Sequence, residues 1–211
     1  MSSTPHGQST PLDPDVQSTR ILGQGHWMKL REIRYTDAWG AARVWECAER
    51  CNDRGAVVIL ARLTPSSEIL LIRQYRPPVD ACTLEFPAGL VDEGESAEET
   101  ALRELREETG YEGRSVQLFP EALTSPGLTN EAAQFALVEV DLNHPANAAP
   151  TQRLEGSERI EVFRVCESDL PSFLEEQRRA EVLIDMRVLA VSLSLQVGFG
   201  RGGVRPYPRC G

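Results

Sequence analysis

Apolar and polar residues alternate along two stretches near the start of the chain. Residues 30–36 and 42–50 show this period of two, and a turn-like sequence that ends in glycine separates them at 37–40. Alternation is typical of strands with one buried face, and a short connection of this kind is typical of a hairpin. The pattern predicts an antiparallel hairpin.

Longer apolar runs follow, and they are bounded by turn-forming residues. Their lengths and their Val, Ile and Leu content indicate strands at 55–63, 68–75, 111–120 and 133–141, and a further strand is expected to begin near 160. Helical spacing is found at 168–179 and 185–197. The second of these helices is largely apolar, so we expect it to pack on a sheet.

A shorter amphipathic stretch predicts a helix at 96–109. Ser96 and Glu99 have the spacing of a capping box, and Gly110 suits the position just past a helix end. One side of this helix is apolar and must face a core. On the other side three carboxylates, spaced three and four residues apart, share a face: Glu104, Glu107 and Glu108.

Carboxylates packed at this spacing repel one another. An acidic face that meets only water is the commoner arrangement, but such a face would mix in basic residues, and this cluster has only Arg103 and Arg106. Hard divalent cations take carboxylate oxygens and recruit substrate phosphates as further ligands. We therefore expect this helix to bind Mg²⁺, with Mn²⁺ as a substitute.

Composition narrows the possible partners of the chain. The 211 residues are 41% hydrophobic, enough for a core, and they suit one domain with additions. A net charge of −10 without a basic stripe argues against a nucleic-acid surface, and no apolar run is long enough to span a membrane. The first twenty residues lack the apolar run of a secretory signal, so we expect a cytoplasmic or nuclear location.

The acidic helix and the loop before it resemble a known family motif. Gly89, five residues, Glu95, seven residues and then the run at 103–111 (RELREETGY) fill every defining position of the Nudix box. Nudix enzymes hydrolyse a nucleoside diphosphate linked to another group, using Mg²⁺ on this helix. The resemblance implies an α/β fold, an α/β/α sandwich around a mixed sheet. It also implies the metal ligands Ala88 (through its carbonyl), Glu104, Glu107 and Glu108, with Glu104 and Glu108 counted among the catalytic residues.

The stretch at 25–50 is similar to the N-terminal part of eukaryotic ADP-sugar diphosphatases. Taken alone, its tryptophans would be assigned to a core or a dimer contact, because aromatic residues are enriched in both. In the resembling enzymes this hairpin is exchanged across a homodimer, and two tryptophans sandwich the adenine. The resemblance assigns substrate binding to Trp27, Trp45, Glu46 and Arg50, and it implies a homodimer.

The same resemblance extends to other loops. It implies that Arg76 binds the phosphates or the terminal ribose, a task that suits a planar guanidinium. The sequence at 124–130 (TSPGLTN) resembles a loop that lies against the nucleotide, although Ser125 stands where some relatives have an acidic residue. Leu90, Ser125 and Leu128 are thus further candidate substrate contacts. Glu158 is the expected general base, and Glu155 is the alternative.

These observations divide the chain into four predicted parts: a disordered tail at 1–19, an N-terminal hairpin used in dimerisation at 20–54, a Nudix hydrolase domain at 55–197 and a flexible tail at 198–211. The expected activity is hydrolysis of ADP-sugars, chiefly of ADP-ribose to AMP and ribose 5-phosphate. Two alternatives stay open. One is a Nudix diphosphatase for UDP-sugars or oxidised nucleoside diphosphates, and the other is a nucleotide-binding Nudix protein without catalysis.

Overall fold

A three-stranded antiparallel sheet forms from the N-terminal part of the chain. The computed structural model describes residues 15–52, 54–154, 156 and 158–197. The strands β1 (Asp15–Gln24), β2 (Met28–Thr36) and β3 (Ala42–Arg50) pair in that order. Together with residues 123–132 they make up one compact unit. The predicted hairpin is present as β2 and β3, with one more strand ahead of it.

The additional strand corrects the predicted extent of the N-terminal tail. β1 begins at Asp15, inside the segment predicted to be disordered, and pairs with β2 from Asp15 opposite Thr36 to Gln24 opposite Lys29. All ten of its residues are exposed, so β1 has no buried face and needs no alternation of apolar residues. Its polar composition therefore resembled that of a tail. The remainder of both predicted tails, 1–14 and 198–211, lies outside the described residues.

The rest of the described chain forms a second sheet and three α-helices. These elements are β4 (Ala56–Thr64), β5 (Glu68–Arg76), β6 (Ala81–Glu85), β7 (Ala88–Leu90), α1 (Ala97–Thr109), β8 (Ser115–Leu118), β9 (Ala122–Leu123), β10 (Ala132–Asp141), β11 (Ile160–Cys166), α2 (Leu170–Arg179), β12 (Leu183–Ile184) and α3 (Met186–Val197). The sheet has the order β12-β6-β5-β4-β10-β8, in which β10 runs parallel to β4 and β12 parallel to β6. β11 pairs with β5, and β7 pairs with β4. The predicted α/β class with a mixed sheet is confirmed.

Helices cover both faces of this sheet. Alternate residues of β4 point to opposite sides, so Val57 and Ile59 pack with Leu105 of α1, whereas Val58 packs in a cluster with Leu174 of α2. A strand buried on both faces reads as a continuous apolar run, which is why β4 and β5 were evident from the sequence. No helix among the described residues is both long and apolar enough to cross a bilayer.

Some short strands differ from the sequence prediction. Only Ser115–Leu118 of the predicted strand at 111–120 pairs in the sheet. The sequence does not predict β6 or β7, because each is at most five residues long and lies next to prolines at 77, 78 or 87. These two strands are important for the site, since they carry Glu85 and Ala88.

Candidate active site

The helix α1 positions the acidic residues, and its ends form as predicted. The Ser96 hydroxyl accepts a hydrogen bond from the Glu99 amide (3.2 Å), and the Glu99 carboxylate accepts one from the Ser96 amide (2.9 Å). Gly110 ends the helix in the left-handed region at φ 80°. The predicted helix and its capping box are confirmed. Leu105 and Ala101 fix its apolar side in the core.

Glu108 is a buried carboxyl group beside the β7 backbone. Only 5% of the residue is exposed, and its Oε2 accepts a hydrogen bond from the Ala88 amide at 3.0 Å. Burial raises the pKa of Glu108 to about 8, and the nearby charges of Glu104 and Glu158 act in the same direction. Ionising the Glu108 carboxyl group is therefore costly unless a nearby cation compensates its negative charge.

Arg103 connects the remaining acidic groups of the Nudix box. One guanidinium nitrogen donates to Glu104 at 2.9 Å and to Glu107 at 3.1 Å. The Nε and the other terminal nitrogen both donate to Glu95 at 2.9 Å, and the hydrogen bond from Arg103 lowers the pKa of Glu95 to about 2. The pKa of Glu104 is raised, chiefly by burial. Arg103 thus supplies positive charge to two of the three predicted ligands.

A close approach between β7 and α1 requires the glycine of the box. A Cβ added at Gly89 would lie 1.8 Å from Oε1 of Glu104, far inside van der Waals contact. The next residue, Leu90, accepts a hydrogen bond on its carbonyl from Arg103 at 3.3 Å. Glycine at position 89 therefore lets the Glu104 carboxylate lie against the β7 backbone, beside the predicted ligand Ala88.

The donor set suits a hard cation, although no cage is preformed. Across the described parts of the chain, no three His, Cys, Asp or Glu side chains are gathered closely enough to hold an ion as they stand. The Arg103 guanidinium holds Glu104 and Glu107, and the Ala88 amide holds Glu108. The carboxylates of Glu104, Glu107 and Glu108 and the Ala88 carbonyl offer the oxygen ligands that Mg²⁺ and Mn²⁺ prefer, and buried Glu108 needs a compensating positive charge. We conclude that the residues fit a divalent cation.

The predicted base lies on the loop that precedes β11. Glu158 is exposed, and its charge raises the pKa of both Glu104 and Glu108, which places it near them. The alternative base, Glu155, lies outside the described residues. Gln152 was missed from the sequence: its amide nitrogen donates to the Glu108 carbonyl at 2.6 Å and to the Ile160 carbonyl at 3.0 Å. This side chain joins the loop to the end of α1, and nothing in the local pattern marks it.

Arg76 lies at the end of β5 and is held by a residue that sequence reasoning missed. Its guanidinium donates to both carboxylate oxygens of Glu85, at 2.8 Å and 2.7 Å. Glu85 is buried at the end of β6. The charge of Arg76 acts to lower the pKa of Glu108, so this guanidinium lies within electrostatic reach of the acidic helix.

The two candidate adenine-binding tryptophans lie far apart in the N-terminal unit. Trp27, 70% exposed, precedes β2, whereas Trp45, 48% exposed, pairs with Ile33 in the middle of the ladder. Trp27 and Ile33, the partner of Trp45, are six residues apart along the chain, which corresponds to about 20 Å between the backbone positions of the two tryptophans. A single protomer therefore does not place the two indoles around one base.

The other N-terminal candidates, Glu46 and Arg50, share one face of β3. Side chains alternate along a strand, so Glu46 and Arg50 point away from the face that carries Trp45. Arg50 pairs with Glu131 (2.6 Å), a partner that the sequence did not suggest.

The loop with Ser125 and Leu128 is anchored on β3 within the same unit. The Trp45 indole N–H donates to the Gly127 carbonyl (3.2 Å), and the Ala48 amide donates to the Leu128 carbonyl (2.9 Å). Both Ser125 and Leu128 are exposed. The structure thus brings this loop to Trp45 and leaves its two candidate contacts accessible.

Comparison with known proteins agrees with this geometry. A family model described as NUDIX domain matches residues 53–183. An ADP-sugar pyrophosphatase of Mus musculus is 32% identical over 197 residues, which are 90% of each chain. An ADP-ribose pyrophosphatase of Saccharomyces cerevisiae is 38% identical over 174 residues, 79% of this chain and 75% of the relative. A crystal structure of an ADP compounds hydrolase superposes with a TM-score of 0.68 over 92% of this chain and all of the other, and at 22% identity it supports the fold alone. The chain therefore belongs to the NUDIX family.

Proposed function

We propose that this protein hydrolyses the diphosphate linkage of ADP-sugars, chiefly converting ADP-ribose and water to AMP and ribose 5-phosphate. The observation that carries the proposal is the acidic face of α1 against β7, where Glu104 lies on Gly89 and buried Glu108 lies on Ala88. Relatives named for ADP-sugar and ADP-ribose cover most of the chain, which favours these substrates over other nucleoside diphosphates.

Nudix hydrolases generally need a divalent cation, and for this chain we infer Mg²⁺, with Mn²⁺ as a substitute. Glu104, Glu107, Glu108 and the Ala88 carbonyl would hold it. When bound, the cation neutralises diphosphate charge and makes water easier to deprotonate. Holding the cation would require Arg103 to release Glu104 and Glu107, and its hydrogen bonds to Glu95 could be kept.

The remaining steps belong to side chains around α1. Glu158 orients the attacking water and accepts its proton, a role that requires a carboxylate within one hydrogen bond of that water. Its exposed position before β11 leaves it accessible to water. Arg76 binds the diphosphate oxygens through its fork of N–H donors and offsets the charge that develops on them. Leu90, whose backbone meets Arg103, contacts the substrate beside the metal ligands.

We further infer a homodimer that completes the adenine site. About 20 Å separates the levels of Trp27 and Trp45 in one protomer, so a sandwich requires one indole from each copy. On the face of the β1–β3 sheet that carries Trp45, the large apolar side chains of Val16 and Ile21 are also exposed, and a second copy would cover them. Ser125 and Leu128, on the loop that accepts the Trp45 hydrogen bond, would contribute loop contacts to this nucleotide site. Glu46 and Arg50 face away from Trp45 and stay predicted polar contacts of the nucleotide.

Hydrolysis of a substrate panel in ¹⁸O-labelled water tests the proposal. Purified protein with Mg²⁺ is incubated with ADP-ribose, UDP-glucose or 8-oxo-dGDP, and the masses of the products are measured by mass spectrometry. We expect ADP-ribose to be preferred and AMP and ribose 5-phosphate to form, with the label identifying the attacked phosphorus. Preference for UDP-glucose or for the oxidised nucleotide would contradict the substrate, and binding without turnover would contradict catalysis. Imaging of the tagged full chain in cells tests the expected cytoplasmic or nuclear location.

A further inference from the structure

The ladder between β5 and β6 places a charged pair on one of its faces. Ile72 is opposite Glu85, and Arg76 is opposite Ala81. Residues directly opposite each other share a face of the sheet, and so do alternate residues of one strand. Arg76 therefore lies on the same face as Ile72, and Ile72 on the same face as its partner Glu85. The two long side chains therefore reach toward each other along the ladder.

The contact between Arg76 and Glu85 is bidentate, and the two side chains differ in their exposure to solvent. The Arg76 Nε donates to one Glu85 oxygen at 2.8 Å, and a terminal nitrogen donates to the other at 2.7 Å. The Thr83 hydroxyl donates to the same carboxylate. The Glu85 side chain is 6% exposed and the Arg76 side chain 44% exposed. One edge of the guanidinium is therefore fixed in the protein, and the other faces outward.

The outward edge of the Arg76 guanidinium carries N–H donors that Glu85 does not use. A guanidinium has five N–H groups in one plane, and the contact with Glu85 uses two of them. The three that remain point away from Glu85 in fixed directions, because the group is planar. Such a fork matches the oxygens of a phosphate group.

A neighbouring ion pair keeps Glu85 as the partner of Arg76. Asp185 lies beside β6, since its amide donates to the Leu84 carbonyl at 3.0 Å. Both oxygens of the Asp185 carboxylate are bound by Arg187 at 2.7 Å. This second acidic group is thus already paired.

We propose that Glu85 is a positioning residue, whose buried carboxylate orients Arg76 so that its free N–H groups face the substrate diphosphate. The inference rests on the proposed function, because it assumes that Arg76 binds that diphosphate. It adds a requirement that the function alone does not contain: the guanidinium must be held along its inner edge, and positive charge near the acidic helix is not sufficient.

Steady-state kinetics of single and double variants test this role. The variants are Arg76→Ala, Glu85→Gln and the two combined, assayed with ADP-ribose and Mg²⁺. We expect each single change to lower kcat/KM about 10- to 100-fold, since misplacing a substrate clamp by an ångström has this effect. The double variant should be no slower than Arg76→Ala, because Glu85 acts only through Arg76. Losses that multiply in the double variant would overturn the proposal.

A rescue experiment separates positioning from support of the fold. In Arg76→Ala, dilute guanidinium should bind the vacated Glu85 carboxylate and raise kcat/KM roughly 10-fold. The same salt should have no effect on the double variant, and equal rescue of both would refute the role of Glu85. Both proteins lack Arg76, and equal urea-unfolding midpoints of the two show that a difference in rescue does not come from the fold.

The control is an ion pair between β5 and β11, at the opposite end of β5 from Arg76. Arg164 of β11 binds Glu68 at the other end of β5, so Glu68→Gln should leave kcat/KM within about twofold of the wild type. If the wild type hydrolyses ADP-ribose and Glu85→Gln is as active as the wild type, the positioning role fails and the proposed function stands. If the wild type does not hydrolyse ADP-ribose, both fail.

Discussion

Replacing Glu108 with glutamine should stabilise the metal-free protein and abolish its activity. Glu108 is 5% exposed, and the Ala88 amide donates a hydrogen bond to it. Glutamine has nearly the same shape and can accept that bond through its amide oxygen, but it does not ionise. The substitution therefore removes an ionisable group from a buried position without creating a cavity.

The size of the effect follows from the pKa of the carboxyl group. Burial raises the pKa of Glu108 from its ordinary value of 4.5 to about 8. Because the folded-state pKa is the higher one, the stability from this group is fully present below pH 4.5 and is lost as pH rises through 8. Each pH unit in between removes about 1.4 kcal/mol. At pH 7 the total is about 3 kcal/mol, and this is the expected gain for Glu108→Gln.

Urea unfolding with a chelator measures this gain directly. The variant and the wild type should have similar free energies of unfolding near pH 4.5 and should diverge as pH rises to 7. The control is Glu176→Gln, a change at an exposed glutamate of α2, which should show no such divergence. Saturating Mg²⁺ should narrow the difference, because the cation stabilises only the protein that keeps the carboxylate.

The turnover of Glu108→Gln tests whether Glu108 is a metal ligand. Glu108→Gln should lower turnover by orders of magnitude, since a neutral amide is a poor ligand for a hard cation. A metal-free variant that is less stable than the wild type at pH 7 would refute the reasoning, because it would mean that the ionised carboxylate is already compensated in the fold. Near-normal turnover would refute its role as a ligand.

Three further predictions concern other parts of the site. Gly89→Ala should lower kcat at least 100-fold, because its Cβ would displace the Glu104 carboxylate; Gly127→Ala, with open space around its Cβ, is the control, and equal losses in the two variants would contradict this account. Trp45→Ala should mainly raise KM if stacking binds substrate and transition state equally, and a fall in kcat with unchanged KM would exclude that role. Light scattering of the active protein should give the mass of a dimer, and an active monomer would exclude the shared adenine site.

The helix of the Nudix box could be predicted because its signals are local. The Ser96 cap, the Gly110 end and the acidic face all depend on spacing within about four turns of helix, and each is present in the structure. The β1 strand could not be predicted, because it pairs without burying a face. Burial patterns are the main signal for strands, and an exposed strand does not produce one.

Side-chain partners across elements were also beyond the sequence. Glu85, Gln152 and Glu131 contact residues that are 9 to 81 positions away, and only the strand register and loop path bring them together. The separation of Trp27 and Trp45 is likewise a consequence of register. Sequence similarity suggested that both bind adenine, and the ladder adds the reason why one protomer cannot bring them together.

A crystal structure with Mg²⁺ and an unreactive ADP-ribose analogue tests the central claim most directly. We predict cation density bound by Glu104, Glu107, Glu108 and the Ala88 carbonyl, with the diphosphate of the analogue completing the coordination. Arg103 should then have released Glu104 and Glu107. Glutamate side chains without a cation, and an analogue bound away from α1, would contradict the account.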